Sequence, residues 1–255
     1  MRPRAGVVIP RNLESMAHRL AALLWDVDGT LAETELDGHR PAFNAAFADL
    51  GLPWYWDEPT YLRLLAVSGG RERIGAWCLE HTGGPVEPAL LDELVHRKAS
   101  HYGVRLRQGA VPLRPGVASL IQEARTAGLR QGIVTTSGRE AVRHLCEGVL
   151  GDLADAFSIQ VCGEDVGVKK PDPEAYLLAQ ERLGCPAGSV MAVEDSRQGL
   201  AAARAAGLPC LVTLSSLSRR EPLALFEEAC AVVEGLAGDK GQVTLSWLDA
   251  LLPPP

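Results

Sequence analysis

No stretch of this 255-residue chain approaches the roughly 18 to 20 consecutive apolar residues that a membrane span needs, and the N-terminus lacks the apolar block of a secretory signal. Runs of about five or six basic residues are missing too, which excludes an extended nucleic-acid surface. The net charge at neutral pH is −7, from 25 Lys and Arg against 32 Asp and Glu, so a small anionic substrate would rely on local cations. No Cys-x-x-Cys pair occurs: Cys78, Cys146, Cys162, Cys185, Cys210 and Cys230 are scattered and read as reduced core or surface thiols. Internal repeats and long low-complexity segments are absent, and no feature marks a protein partner. Together these absences point to a soluble cytoplasmic protein.

The composition, 47% hydrophobic and 22% charged over 255 residues, suffices for a full α/β core plus one smaller domain. Residues 1–19, with Arg2, Arg4 and Arg11, match no element of the pattern that begins at Leu20; a disordered extension is expected there, with a targeting stub or an upstream start before Met16 as the alternatives. Pro253 to Pro255 is expected to be disordered as well.

The densest information lies at Leu20-Ala21-Ala22-Leu23-Leu24-Trp25, an apolar run that leads directly into Asp26-Val27-Asp28-Gly29-Thr30. An unbroken apolar run reads as a strand buried on both faces, and in open α/β sheets ligands bind beyond the carboxyl ends of such strands. Two carboxylates two positions apart at that point suit phosphoryl chemistry, although an Asp-Gly pair alone is also a common turn. After Thr30 the periodicity becomes helical. Ala42, Phe43, Ala46, Phe47 and Leu50 make one apolar stripe closed by Gly51, and further helices are expected over 58–66, 71–81 and 88–106. From Arg114 a βα rhythm takes over: helix from Pro115 to Gly128, strand 131–135, helix from Arg139, strand 158–162, helix 173–183, strand 190–193, helix 197–206, strand 210–213. A short helix over 243–251 ends the pattern. The expected fold is α/β, a Rossmann-like parallel sheet with helices on both faces, formed by 20–33 and 108–255, with an all-helical cap domain inserted at 34–107.

Three later strand ends each deliver polar groups. Thr135-Thr136-Ser137 offers hydroxyls and backbone N–H groups that suit phosphate oxygens. Lys169-Lys170-Pro171-Asp172-Pro173 holds an ammonium in a proline-fixed loop. Glu194-Asp195 forms a second acidic pair. Taken singly, these could be a helix N-cap cluster, a solvated loop and a capping pair before Ser196. Their order is what separates them from that reading: acid pair, hydroxyl, lysine, acid pair.

With these four motifs in sequence and a helical insertion after the first, the chain resembles the haloacid dehalogenase (HAD) superfamily. The resemblance implies that Asp26 is the nucleophile and forms an aspartyl-phosphate, and that Asp28 is the general acid and base. It implies Mg²⁺ held by the Asp26 carboxylate, the Asp28 backbone carbonyl and Asp195, with Glu194 supporting them. Lys170, which directly precedes proline, would offset charge and position Asp26, with Lys169 the lesser candidate. Thr135 would hold the phosphoryl oxygens, and Thr136 would assist through its backbone. The second Asp excludes the dehalogenase branch, because halide displacement needs neither a proton donor nor a metal. A degenerate, non-catalytic member is disfavoured by the presence of Asp26, Asp28, Lys170 and Asp195 together.

The segments 31–40 and 67–74, with Trp54, Trp56 and Leu113-Arg114-Pro115-Gly116, resemble the CbbY-type branch, whose members remove a phosphate from xylulose 1,5-bisphosphate. Trp25 stands where that family more often has Phe. The implied activity is a Mg²⁺-dependent sugar phosphatase, with a β-phosphoglucomutase-like phosphomutase and a phosphoglycolate phosphatase as alternatives. A bisphosphate needs a second anion site in the cap. Gly69 and Gly70 would admit backbone N–H groups to it and Arg71 would supply charge, with help from His39, Arg40, Glu33 and, more weakly, Lys98. Gly69-Gly70 also fits a plain interhelical turn, and His39 a solvated helix start.

Overall fold

The computed structural model describes residues 19–238 and 241–253. The expected N-terminal extension lies outside the described residues apart from Arg19, as do Pro254 and Pro255.

The apolar run forms β1 (Ala22–Trp25), whose four residues are all buried. With β2 (Arg130–Val134), β3 (Ile159–Val161), β4 (Val190–Glu194), β5 (Cys210–Thr213) and β6 (Ala231–Val233) it makes a parallel six-stranded sheet in the order β3-β2-β1-β4-β5-β6. The order reverses between β1 and β4, so the crevice outside their carboxyl ends is the switch point where such folds bind ligands. Alternation along β1 splits the core. Leu23 and Trp25 face α5 (Val117–Thr126), α6 (Arg139–Leu145) and α9 (Leu245–Ala250). Ala22 and Leu24 face α7 (Glu174–Leu183) and α8 (Arg197–Ala205). Trp25 is accommodated in this core because its indole N–H donates to Gln131 Oε1 at 3.1 Å, whose amide in turn donates to the Ile121 carbonyl. The fold is thus the α/β class with helices on both faces.

Between β1 and α5 there are four α-helices and no strand: α1 (Arg40–Asp49), α2 (Glu58–Leu64), α3 (Gly70–Thr82) and α4 (Pro88–Arg107). The apolar stripe of α1 packs Phe43 and Phe47 against Trp56, Tyr61 and Trp77, a core separate from the sheet. Asp57 and Glu87 cap α2 and α4 by accepting from the backbone N–H groups of Thr60 and Leu90. Helix α4 belongs to both halves, because Leu94 lies in the aromatic cluster while Tyr102 and Leu106 join the sheet-side core. The two connections into this helical block touch where Ala32 bridges Leu113, and the Arg114 N–H donates to the Leu31 carbonyl.

Several features depart from the expected pattern. Glu35–His39 forms a π-helical turn leading into α1. The strand β6 and the small hairpin β7 (Ala237–Gly238) and β8 (Gly241–Gln242) were not signalled by periodicity. No helix among the described residues is long and apolar enough to cross a membrane.

Candidate active site

Parallel pairing of β1 with β4 puts Trp25 opposite Val193, so the acids that follow each strand emerge side by side. The Asp26 N–H donates to the Val193 carbonyl at 3.0 Å. Carboxylate oxygens of Asp26, Glu194 and Asp195 all lie within 4.8 Å of one another, and all three residues are buried. Gly29, at φ +85°, makes this packing feasible, since a Cβ there would overlap the Asp195 carboxylate.

Lys170 reaches this cluster from the loop before α7, with the Lys170–Pro171 peptide cis. Its Nζ donates to Asp26 Oδ1 (2.8 Å), Glu194 Oε1 (2.6 Å) and the Val134 carbonyl (2.7 Å), which uses all three of its protons. The Tyr176 hydroxyl donates to the same Glu194 oxygen at 2.6 Å. The loop is steadied by Glu174, which accepts from the N–H groups of Gly167 and Val168. Burial and the neighbouring Glu194 charge push the Asp26 carboxyl up to about 8, against the pull of Lys170. Burial likewise raises Asp195 well above the carboxylate range, with the Asp26 and Glu194 charges adding to it. For Lys170, burial opposes the charge, but Asp26 and Glu194 outweigh it and hold the ammonium firmly protonated. Three buried carboxylates against one ammonium form an all-oxygen, electron-rich pocket, and this donor set fits a hard divalent cation.

Asp28 is set apart from that cluster. Its Oδ1 accepts from the Thr34 hydroxyl and lies 2.8 Å from His39 Nε2, while its Oδ2 accepts from the Ser137 hydroxyl at 2.6 Å. Burial works to raise the Asp28 carboxyl, but His39 and these hydrogen bonds hold it well below the usual range. Behind it, Lys98 Nζ lies 2.8 Å from His39 Nδ1, and the imidazole stacks on Tyr102. An ammonium can only donate, so Nδ1 accepts from it and Nε2 carries the proton toward Asp28. Burial lowers the Lys98 ammonium to about 8.

A cavity of about 360 Å³ opens over these groups, lined by Asp26, Asp28, Lys170 and Asp195 from the core and by Ser68 and Arg73 from the helical block. Thr136 lines it, whereas Thr135 is buried and its hydroxyl accepts from the Ser137 N–H. The Asp28 carboxylate is absent from the acidic cluster, so only its backbone carbonyl remains for the expected metal role. His39 sits on Asp28 rather than at a solvated helix start.

Four of the residues expected to bind substrate, Arg71, Gly69, Gly70 and Glu33, lie outside the lining of this cavity. Arg71 does not reach the cavity: it is half-exposed and paired with Asp92 at 2.5 Å, while Arg73, two residues on, lines the cavity. The space beside Gly69, at φ +91°, is taken by the Glu72 carboxylate and Lys169, and a Cβ on Gly70 would lie 3.1 Å from Phe43 Cζ. Glu33 is engaged elsewhere, accepting from Ser216 and pairing with Arg114 at 3.2 Å. Arg114 also donates to the carbonyls of Gly29 and Leu214, which ties the turn after Asp28 to the end of β5. Thr34, Tyr176 and Arg73 are polar groups of this site that sequence reasoning gave no individual role, and Ser137, read there as part of a phosphate-binding hydroxyl cluster, donates to Asp28 instead. Only the clustering of arginines at 71–73 hinted at one of the first three.

The chain is similar to known proteins in sequence and in fold. Residues 20–207 match the haloacid dehalogenase-like hydrolase family. The CbbY protein of Cupriavidus necator is 43% identical over 228 residues, covering 88% of each chain. The crystal structure of CbbY from Rhodobacter sphaeroides in complex with phosphate superposes with a TM-score of 0.81 at 39% identity, over 90% of this chain and 99% of that one. A variant of that protein, crystallised with xylulose-(1,5)bisphosphate, gives a TM-score of 0.78 at 38% identity, over 88% and 100%. With its acidic cluster and lysine at the switch point of the sheet, and with these relatives, the chain belongs to the haloacid dehalogenase-like hydrolases as a phosphatase similar to CbbY.

Proposed function

We propose that this enzyme is a Mg²⁺-dependent sugar phosphatase working through an aspartyl-phosphate on Asp26, and that its substrate is xylulose 1,5-bisphosphate or a closely similar sugar bisphosphate. The observation that carries the reading is one cavity lined by cations from both halves: Lys170, which holds Asp26, and Arg220 from the core, with Arg73 from the helical block. A small polar body carrying two anionic groups suits that set of cations. The relative crystallised with xylulose-(1,5)bisphosphate supports the same choice. We take 20–33 and 108–255 as the phosphoryl-handling core and 34–107 as the cap that selects the leaving group. The six free cysteines fit a reducing cytoplasm.

A bound Mg²⁺, held by Asp26 and Asp195 with Glu194 behind them and the Asp28 carbonyl beside them, would neutralise charge where an anionic carboxylate meets an anionic phosphate. Lys170 fixes the Asp26 carboxylate for attack through the Oδ1 contact. As the Asp26 oxygen bonds to phosphorus, the ester oxygen leaves and takes a proton from Asp28. In the second half, Asp28 removes a proton from water, whose oxygen displaces Asp26 and yields inorganic phosphate. Three donors hold Asp28 in the base form suited to that second half. To carry a proton in the first half it must loosen some of them. Thr34 and His39 lie on the segment entering the cap, so cap movement would do this. Thr136 and Thr135 flank the phosphoryl oxygens, Thr135 chiefly by fixing the loop through Ser137.

The test is phosphate release from xylulose 1,5-bisphosphate, ribulose 1,5-bisphosphate, phosphoglycolate and hexose phosphates with Mg²⁺ present. Preferred turnover of the xylulose compound is expected, with Asp26→Asn inactive. An Asp26→Asn protein that retains full Mg²⁺-dependent activity overturns the mechanism, and strict need for a sugar-bisphosphate activator would make the enzyme a mutase.

A further inference from the structure

Two adjacent lysines in the loop before α7 point in different directions. Lys170 turns inward to Asp26, whereas Lys169 Nζ lies 2.6 Å from Glu72 Oε1, in the first turn of α3. We propose that the Lys169–Glu72 ion pair is a positioning device that docks the cap on the catalytic-lysine loop and thereby sets selectivity for substrates that need a closed cap.

Four observations support it. The Lys169 side chain is only 19% exposed although it ends in a charge. Its stem passes over Gly163, where a Cβ would lie 3.1 Å from Lys169 Cε. At its far end, the ammonium and the Glu72 carboxylate fill the space beside Gly69, so a side chain there would displace the pair. Next to it, the Ser68 hydroxyl donates to the Lys170 carbonyl at 2.8 Å. Cap residues 68–72 therefore hold the cap against this loop at two points, while Lys170 is kept on Asp26 by its own three hydrogen bonds. Glu72 alone could be explained by a helix N-terminus favouring an acid. The seated Lys169 is not explained that way.

The coupling to turnover rests on the phosphatase reading above, so the experiment carries one readout that needs no turnover. Lys169→Glu, Glu72→Lys and the double exchange are compared for kcat/KM on xylulose 1,5-bisphosphate and on p-nitrophenyl phosphate, and for amide hydrogen exchange over residues 67–73. Each single variant is expected to lose about tenfold in kcat/KM on the sugar bisphosphate, mainly through KM, while p-nitrophenyl phosphate changes less than about twofold. The double exchange recovers most of the loss, and exchange over 67–73 quickens in the singles only. Added salt should move the wild type toward the single variants. Unchanged exchange in both singles, or an unchanged ratio between the two esters, overturns the proposal. If the wild type hydrolyses neither ester, the phosphatase reading and the coupling fail together, and the exchange data still decide whether the pair docks the cap.

Discussion

Glu194 is fully buried, and its Oε1 accepts hydrogen bonds from both Lys170 and Tyr176, so the carboxylate cannot move without loosening the lysine that holds Asp26. Gly199, in the first turn of α8, gives it room, since a Cβ there would overlap the Glu194 carboxylate. Helix propensity would favour Gly199→Ala by about 1 kcal/mol at most. The overlap with a pinned carboxylate outweighs this, because overpacking costs about 1–3 kcal/mol. Gly199→Ala should therefore lower the urea midpoint and cut kcat more than about tenfold, and an alanine variant as stable and active as wild type would refute the pinning. Tyr176→Phe tests the same carboxylate from the other side. It leaves one acceptor short of a donor, and a loss of about 1–3 kcal/mol in unfolding free energy is expected. The strand-end acids and Lys170 were legible because a motif fixes their place relative to buried strands. Tyr176 was not, since a tyrosine on a helix gives no sign of which carboxylate it meets. Arg71 and Arg73 illustrate the same limit: two positions apart on a helix is about 200° of rotation, so their faces are opposed, and only packing decides which faces the cavity.

Among the longer segments, helices and strands appeared where apolar periodicity and glycine stops placed them, with edges shifted by one or two residues. What escaped notice was too short for a period to register: β6 has three residues, and each strand of the β7–β8 hairpin has two. Nor does periodicity reveal how elements meet. Helix α4 crosses from the aromatic cluster of the helical block to the sheet side, and at Gly103 it approaches α6 so closely that a Cβ would overlap the His144 ring. His144 is buried there and its Nδ1 has no hydrogen-bond partner. Burial lowers its affinity for a proton and Arg143 and Arg107 add to this, against Glu140 and Glu147. A histidine with a lowered folded-state value binds fewer protons than the unfolded chain, whose value is about 6.5. Stability contributed by neutral His144 is therefore present above that value and lost as pH falls below it. His144→Gln should flatten the dependence: urea midpoints at pH 7.5 and 5.5 should lie closer together in the variant than in the wild type. An identical difference in both proteins would show that His144 has no part in it.

The order of the sheet brings Asp26 and Glu194-Asp195 together from positions about 170 residues apart, and burial leaves them with one ammonium between them. A folded protein without metal thus concentrates negative charge at its switch point, and this charge has a consequence for global stability. The Asp26 carboxyl titrates at about 8 when folded and at about 3.9 when unfolded, so over that interval the folded state holds the extra proton. Stability of the metal-free protein should consequently fall as pH rises from about 4 toward 8, and Asp195, raised in the same direction, adds to the fall. A divalent cation at this cluster would bind its ionised form, so it would compete with the proton at low pH and be favoured at high pH. At a hundredfold excess over Kd, binding adds about 2.7 kcal/mol, which for a chain of this size corresponds to a Tm rise of about 5–10 °C. We expect the Tm difference between Mg²⁺-loaded and chelator-treated protein to be larger at pH 8 than at pH 6, and to shrink in Asp195→Asn. Thermal unfolding followed by calorimetry at both pH values decides the matter: no shift with Mg²⁺, or an equal shift at pH 6 and pH 8, would mean that the acidic cluster is not where the cation binds.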